Sequence, residues 1–135
     1  MKGARLSTEG DRARLTGTRV FVLEDESLVL FNIEDILTDL GCAIVGPAMR
    51  LEQADELFEQ AAAADLAILD VNIAGRPVFP LAERLRERGT PLIFATGYGR
   101  AGLPEEWQNA PVLQKPYTMD DVVAAMHALT ATIAR

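Results

Sequence analysis

One cysteine and one histidine in 135 residues remove several kinds of chemistry at once. Cys42 alone excludes an internal disulfide, and its apolar setting, "GCAIVG", reads as that of a small core residue. His127 alone leaves no paired His or Cys ligands for a softer metal, and its mid-helix place beside Met126 reads as a surface or core position. Positive charge is scarce too: 13 Lys and Arg against 20 Asp and Glu give a net charge of −7, which argues against nucleic acid as a partner. No run approaches the roughly 20 apolar residues of a membrane helix, and the polar N-terminus lacks a signal-peptide core. These absences point to a cytoplasmic protein with no membrane partner.

What is present is the profile of one soluble globular domain, with 49% hydrophobic and 24% charged residues. Charge is uneven along it: residues 1–19 carry five bases and two acids, a balance of +3 that leaves −10 for the remainder. Residues 1–17 are polar, without a sustained apolar period, and read as a mobile arm or a loosely docked extension; the domain proper is expected over 18–135. From Thr18 onward the pattern is regular. "TRVFVLED" reads as a strand, then a helix begins at Ser27, a candidate N-cap, with Val29, Ile33, Ile36, Leu37 and Leu40 on one face. "CAIVG" is a second strand, halted by Gly46-Pro47, and a second helix is marked by Leu51, Ala54, Leu57, Phe58 and Ala61. "LAILD", "PLIFAT" and "PVLQ" supply three further strands. "FPLAERLRERG" is the helix between the first two of them, and Thr118 with Asp121 forms a capping box for a last helix whose inner face is Val122, Met126, Leu129 and Ile133. The stretch "GYGRAGLPEEWQNA" holds too many glycines and a proline for a long helix, and Trp107 plugs it onto the core or joins a partner surface. Strands alternating with helices predict an α/β, doubly wound, five-stranded parallel sheet of the flavodoxin-like type, in strand order 2-1-3-4-5.

Ligands of such sheets bind beyond the carboxyl ends of the strands, where strand order reverses. Those ends carry Glu24 and Asp25 after the first strand, Asp70 after the third, Thr96 after the fourth and Lys115 after the fifth. Each has an ordinary reading alone: an acidic cluster before a helix, an Asx turn, a strand-end hydroxyl, a solvated loop lysine. Their coincidence at corresponding ends of different strands favours a site. Three converging carboxylates repel one another and raise each other's pKa unless a cation joins them, and an all-oxygen set suits Mg²⁺. A carboxylate beside such an ion can attack phosphorus, with Lys115 and Thr96 placed to stabilise the transferring group.

The segments "VLEDE", "ILDVN", "FATG" and "LQKP" resemble, in order and spacing, the motifs of response-regulator receiver domains over about residues 18–134. The runs "PLIFATGYG" and "VLQKPY" are similar to the narrower FAT GUY group of stand-alone bacterial receivers. This resemblance implies that a sensor histidine kinase phosphorylates Asp70, with Lys115 and Thr96 assisting. It also implies that Mg²⁺ is held by Asp25, Asp70 and the backbone carbonyl of Asn72, with Glu24 acting through water. It draws attention to Thr96, Gly97 and Tyr98 as the switch, although Tyr98 is equally readable as a half-buried loop aromatic. Two positions depart from the common pattern: Ala74 stands where many receivers carry proline, and Val112 where many carry a switch aromatic.

The function expected is therefore a single-domain response regulator that alters a contact with an unknown downstream protein, since no sequence after residue 135 remains for an output domain. Two alternatives are an aspartate-nucleophile phosphohydrolase and an unphosphorylated receiver-like scaffold. The hydrolase typically needs a second aspartate two residues after the nucleophile, where this chain has Asn72, and the complete acid, threonine and lysine set disfavours the scaffold.

Overall fold

The computed structural model describes residues 8–133, with side chains described through Leu129. In chain order the elements are α1 (Glu9–Ala13), β1 (Arg19–Leu23), α2 (Ser27–Asp39), β2 (Ala43–Ala48), α3 (Leu51–Glu56), α4 (Phe58–Ala63) and β3 (Leu66–Asp70). A short hairpin follows, β4 (Asn72–Ile73) and β5 (Arg76–Pro77), then α5 (Phe79–Glu87) and β6 (Leu92–Thr96). Two 3-10 turns, Gly99–Gly102 and Glu105–Trp107, lead to β7 (Val112–Gln114) and α6 (Met119–Ile133). The main sheet is parallel throughout, in the order β2-β1-β3-β6-β7. With the hairpin set aside, this is the expected 2-1-3-4-5 arrangement.

Strand alternation sorts the apolar residues into two layers. Val20, Val22, Leu66, Ile68, Ile93 and Ala95 point to one face, where Ile33 and Leu37 of α2 and Val122 and Met126 of α6 cover them. Phe21, Leu23, Ala67, Leu69, Leu92 and Phe94 point to the other, beneath Ala54, Ala61, Leu81 and Leu85. The capping box of α6 is formed as expected, with Asp121 N–H donating to the Thr118 hydroxyl at 3.2 Å and Thr118 N–H to the Asp121 carboxylate at 2.8 Å. Leu129 is buried, whereas the side chain of Ile133 lies outside the described residues. No helix of the described residues is long and apolar enough to cross a membrane.

Three local expectations are corrected. Glu26, not Ser27, is the N-cap of α2; its backbone is extended and its side chain makes no capping bond. β2 does not halt at Gly46-Pro47 but runs to Ala48, because a bulge between the pairs Phe21↔Val45 and Leu23↔Ala48 absorbs one extra residue. Gly46 makes this possible: its φ is +91°, and a Cβ there would lie 3.2 Å from the Ala48 nitrogen. The second helix is two short helices that break at Leu57.

Residues 1–7 lie outside the described residues, so the expected mobile or loosely docked extension is visible only over residues 8–17. Those residues fold back onto the domain. Thr8 and Asp11 close a capping box around α1. Leu15 is 4% exposed and belongs to the α2–α6 core layer. Gly17 N–H donates to Gly41 C=O at 2.8 Å, and His127 Nε2 lies 3.0 Å from Asp11 C=O. A single apolar residue at the end of a polar stretch gives no period, so it is invisible to pattern reading yet sufficient to anchor the segment. Leu15→Ala should cost about 2–5 kcal/mol of unfolding free energy, read as a lower urea midpoint; a change within roughly 0.5 kcal/mol would mark the segment as loosely docked.

Candidate functional site

The adjacency of β1 and β3, in register at Val22↔Ile68 and Leu23↔Leu69, brings their carboxyl ends side by side. Glu24 follows β1 directly, held by its N–H to Ala48 C=O at 3.0 Å, and its side chain turns inward to 2% exposure. Asp70 closes β3 at 5% exposure, and its Oδ1 accepts the N–H of Asn72 at 3.3 Å. Thr96 closes β6 at 1% exposure. Lys115 follows β7, fixed by its N–H to Thr96 C=O at 2.9 Å, and sends its ammonium back across the strand ends. Nζ lies 3.0 Å from Asp70 Oδ2, 3.1 Å from Glu24 Oε1 and 3.6 Å from Glu26 Oε1.

The site carries more negative charge than one lysine can match. Glu24 is pushed up to about 7, first by burial and then by the neighbouring Asp70 charge. Asp70 is also raised by burial, against the opposing pull of its hydrogen bonds and Lys115. For Lys115, burial lowers the pKa, but Asp70 and Glu24 together outweigh it and the group is held charged. The buried Tyr117 hydroxyl is raised for the same reasons, by burial and then by Glu24 and Asp70.

Around these groups is an open depression of about 480 Å³, lined by Asp25, Glu26, Asp70, Asn72, Thr96 and Lys115 among others. Carboxylate oxygens of Glu24, Asp25, Glu26 and Asp70 lie within 4.8 Å of one another, and Asp25 with Asp70 offers the oxygen donors that fit a hard divalent ion such as Mg²⁺. Asp25 is aimed into this set by Ala74, whose N–H donates to its Oδ2 at 2.8 Å. Asn72 keeps its side chain occupied, with Oδ1 accepting Gly75 N–H at 2.8 Å.

The structure thus gathers Glu24, Asp25, Asp70, Asn72, Thr96 and Lys115 at one end of the sheet. Thr96 Oγ1 accepts the Tyr98 N–H at 3.0 Å, which ties the strand end to the next loop. Gly97 and Tyr98 line the depression, but Tyr98 is 81% exposed rather than half-buried. Two participants were missed by sequence reasoning. Glu26 was signalled by being the third acid of "EDE"; the Ala74 N–H, a backbone group, carries no residue-type signal. Trp107 does plug the glycine-rich stretch onto the core: it is 5% exposed and packs edge-on against Phe94 at 5.2 Å.

Comparison with known proteins agrees with this architecture. The family described as "Response regulator receiver domain" matches residues 20–127. The transcriptional regulatory protein PdtaR of Mycobacterium tuberculosis is 30% identical over 124 residues, which is 89% of this chain and 59% of that protein. The chain therefore spans less than two thirds of the curated relatives it matches. The solution structure of SdrG from Sphingomonas melonis Fr1 superposes with a TM-score of 0.76 at 38% identity, covering 84% of this chain and 97% of SdrG. The response regulator PhyR from Brucella abortus gives a TM-score of 0.73 at 28% identity, covering 93% of this chain and 53% of PhyR.

Removing the ammonium strands two buried carboxylates. Lys115→Met should lower stability by about 3–5 kcal/mol in metal-free buffer, measured by denaturant unfolding. Adding Asp70→Asn should recover part of that loss, because it removes one of the orphaned charges; a double variant no more stable than Lys115→Met would contradict this electrostatic account.

Proposed function

This chain belongs to the response regulator receiver domain family, and on that premise we propose that it is a phosphorylated switch of a cytoplasmic two-component pathway. Asp70 accepts a phosphoryl group from a sensor histidine kinase, and the phosphorylated form changes its contact with a downstream protein. The observation that carries this reading is the Lys115–Asp70 contact of 3.0 Å at the edge of an open acidic depression. A purely structural ion pair has no need of the depression or of the surplus carboxylates.

In this mechanism an Asp70 carboxylate oxygen attacks the phosphorus of phosphohistidine. The P–N bond breaks, the electron pair leaves with the imidazole nitrogen, and an aspartyl phosphate remains. Asp25, Asp70 and the Asn72 backbone would hold Mg²⁺, which when bound neutralises charge on the phosphoryl oxygens. Lys115, already 3.0 Å from Asp70, supplies a further cation to those oxygens. Glu24, buried behind Lys115, keeps the ammonium in place. Thr96 closes the neighbouring strand, and its hydroxyl is the donor placed to follow the new charge.

That last step couples chemistry to shape. In this structure the Thr96 oxygen accepts the Tyr98 N–H, so turning the hydroxyl toward the phosphoryl group releases Tyr98. Farther on, Leu103 and Trp107 are buried, and Arg100 donates to the carbonyls of Gln108 and Ala110. The displacement is therefore taken up between the strand end and Leu103, with Thr96, Gly97 and Tyr98 as the switch.

Incubation with Mg²⁺ and acetyl phosphate should add one base-labile phosphoryl group to the wild type and none to Asp70→Asn, by intact mass. Equal labelling of the Asn variant would refute the assignment. Millimolar Mg²⁺ should also raise the melting temperature of the unphosphorylated protein by linkage, and Asp25→Ala should remove that response; a wild-type melt indifferent to Mg²⁺ would argue against the metal site.

A further inference from the structure

The third acid of the cluster has no task in the mechanism above. Glu24 and Asp70 are buried and need Lys115, but the Glu26 side chain is 66% exposed and is hydrated without it. It nonetheless stands 3.6 Å from the same ammonium and lines the depression through which a phosphodonor must enter. We propose that Glu26 is a specificity-determining residue that disfavours small anionic phosphodonors relative to a protein phosphohistidine. The inference rests on Asp70 being the phosphoacceptor.

The argument is one of charge placement. An exposed carboxylate at the mouth adds a unit negative charge where the donor arrives, and it takes a share of the cation meant for the incoming phosphoryl oxygens. Acetyl phosphate enters as a dianion at neutral pH and phosphoramidate as a monoanion, and each is held through its phosphoryl group alone, with no docking surface to offset the repulsion. A kinase instead presents its phosphoryl group on an imidazole and brings a docking surface of its own, so the same repulsion is a small part of its binding free energy. At a separation of about 7 Å in a water-like dielectric, one unit charge changes encounter by about threefold for each charge on the donor. That is roughly tenfold for a dianion, and it fades as salt shortens the Debye length.

The test compares wild type, Glu26→Gln, Glu26→Asp and Asp70→Asn, with Mg²⁺ held at saturation for each variant. Initial phosphorylation rates are taken at subsaturating donor, by intact mass. Glu26→Gln should be faster by roughly tenfold with acetyl phosphate and about threefold with phosphoramidate at low ionic strength, and the difference between donors should close at roughly 0.5 M salt. Glu26→Asp, which keeps the charge, should stay near wild type with both donors. If Glu26→Gln is unchanged, slower, or accelerated equally for both donors, the proposal is overturned while the phosphoacceptor reading stands. If the wild type accepts phosphate from neither donor, that reading fails and the proposal falls with it.

Discussion

Two buried carboxylates share one ammonium, and the rest of the architecture serves that arrangement. An ionised carboxylate taken out of water costs several kcal/mol even after relaxation, so Glu24 and Asp70 can be both buried and ionised only with Lys115 held against them. The strand order makes this possible. β1 and β3 are neighbours, so their acids meet without any reach. β7 lies beyond β6, so its cation must cross the end of an intervening strand at Thr96. Lysine suits that path, since its flexible four-carbon stem ends in a compact charge able to serve several oxygens, whereas a planar guanidinium would pair with one carboxylate face-on. The Lys115 N–H bond to Thr96 C=O fixes the stem at its base, and the side chain supplies the remaining distance.

The packed layers hold the strand ends still. Phe94, at the centre of β6, is gripped by Phe79 at 5.5 Å and Trp107 at 5.2 Å, and the Arg86 guanidinium lies 4.1 Å over the Trp107 ring. The Trp107 Nε1–H is buried without an acceptor, at a cost of about 1–3 kcal/mol, which the aromatic packing and the cation–π contact offset. The outer helices are laced by Arg84–Asp55 and Arg88–Glu59, each at 2.8 Å. Being exposed, such pairs contribute little each to stability. They set the register of α3 and α4 against α5 more than they hold it.

The features legible in the sequence are those fixed by residue type and period. Five apolar runs gave the sheet, and the residues at four of the strand ends gave Glu24, Asp25, Asp70, Thr96 and Lys115 as a group before any contact was visible. The features that were not legible depend on single residues or on the backbone. Leu15 anchors the N-terminal segment without forming a pattern, and the bulge that carries β2 past Gly46-Pro47 comes from a left-handed glycine in a sequence that resembles a stop signal. Glu26 was not singled out, because nothing in the run "EDE" separates an exposed acid from the buried Glu24 two residues earlier; burial is not encoded directly in sequence.

Ala74 shows why a departure from a familiar pattern can carry geometry of its own. Its φ is +53°, in the left-handed region that costs a non-glycine residue roughly 1–2 kcal/mol, and Gly75 continues the turn at φ +84°. That pair reverses the chain between β4 and β5 tightly enough for the Ala74 N–H to face Asp25, 49 residues earlier, at 2.8 Å. Proline could do neither: its ring fixes φ near −65° and it has no N–H to give. With alanine, one Asp25 oxygen is held by the backbone and the carboxylate is oriented before any cation arrives. The strain in this short hairpin is thus tied to the aim of an acid in the loop after β1, and the two are joined through the backbone of a single residue.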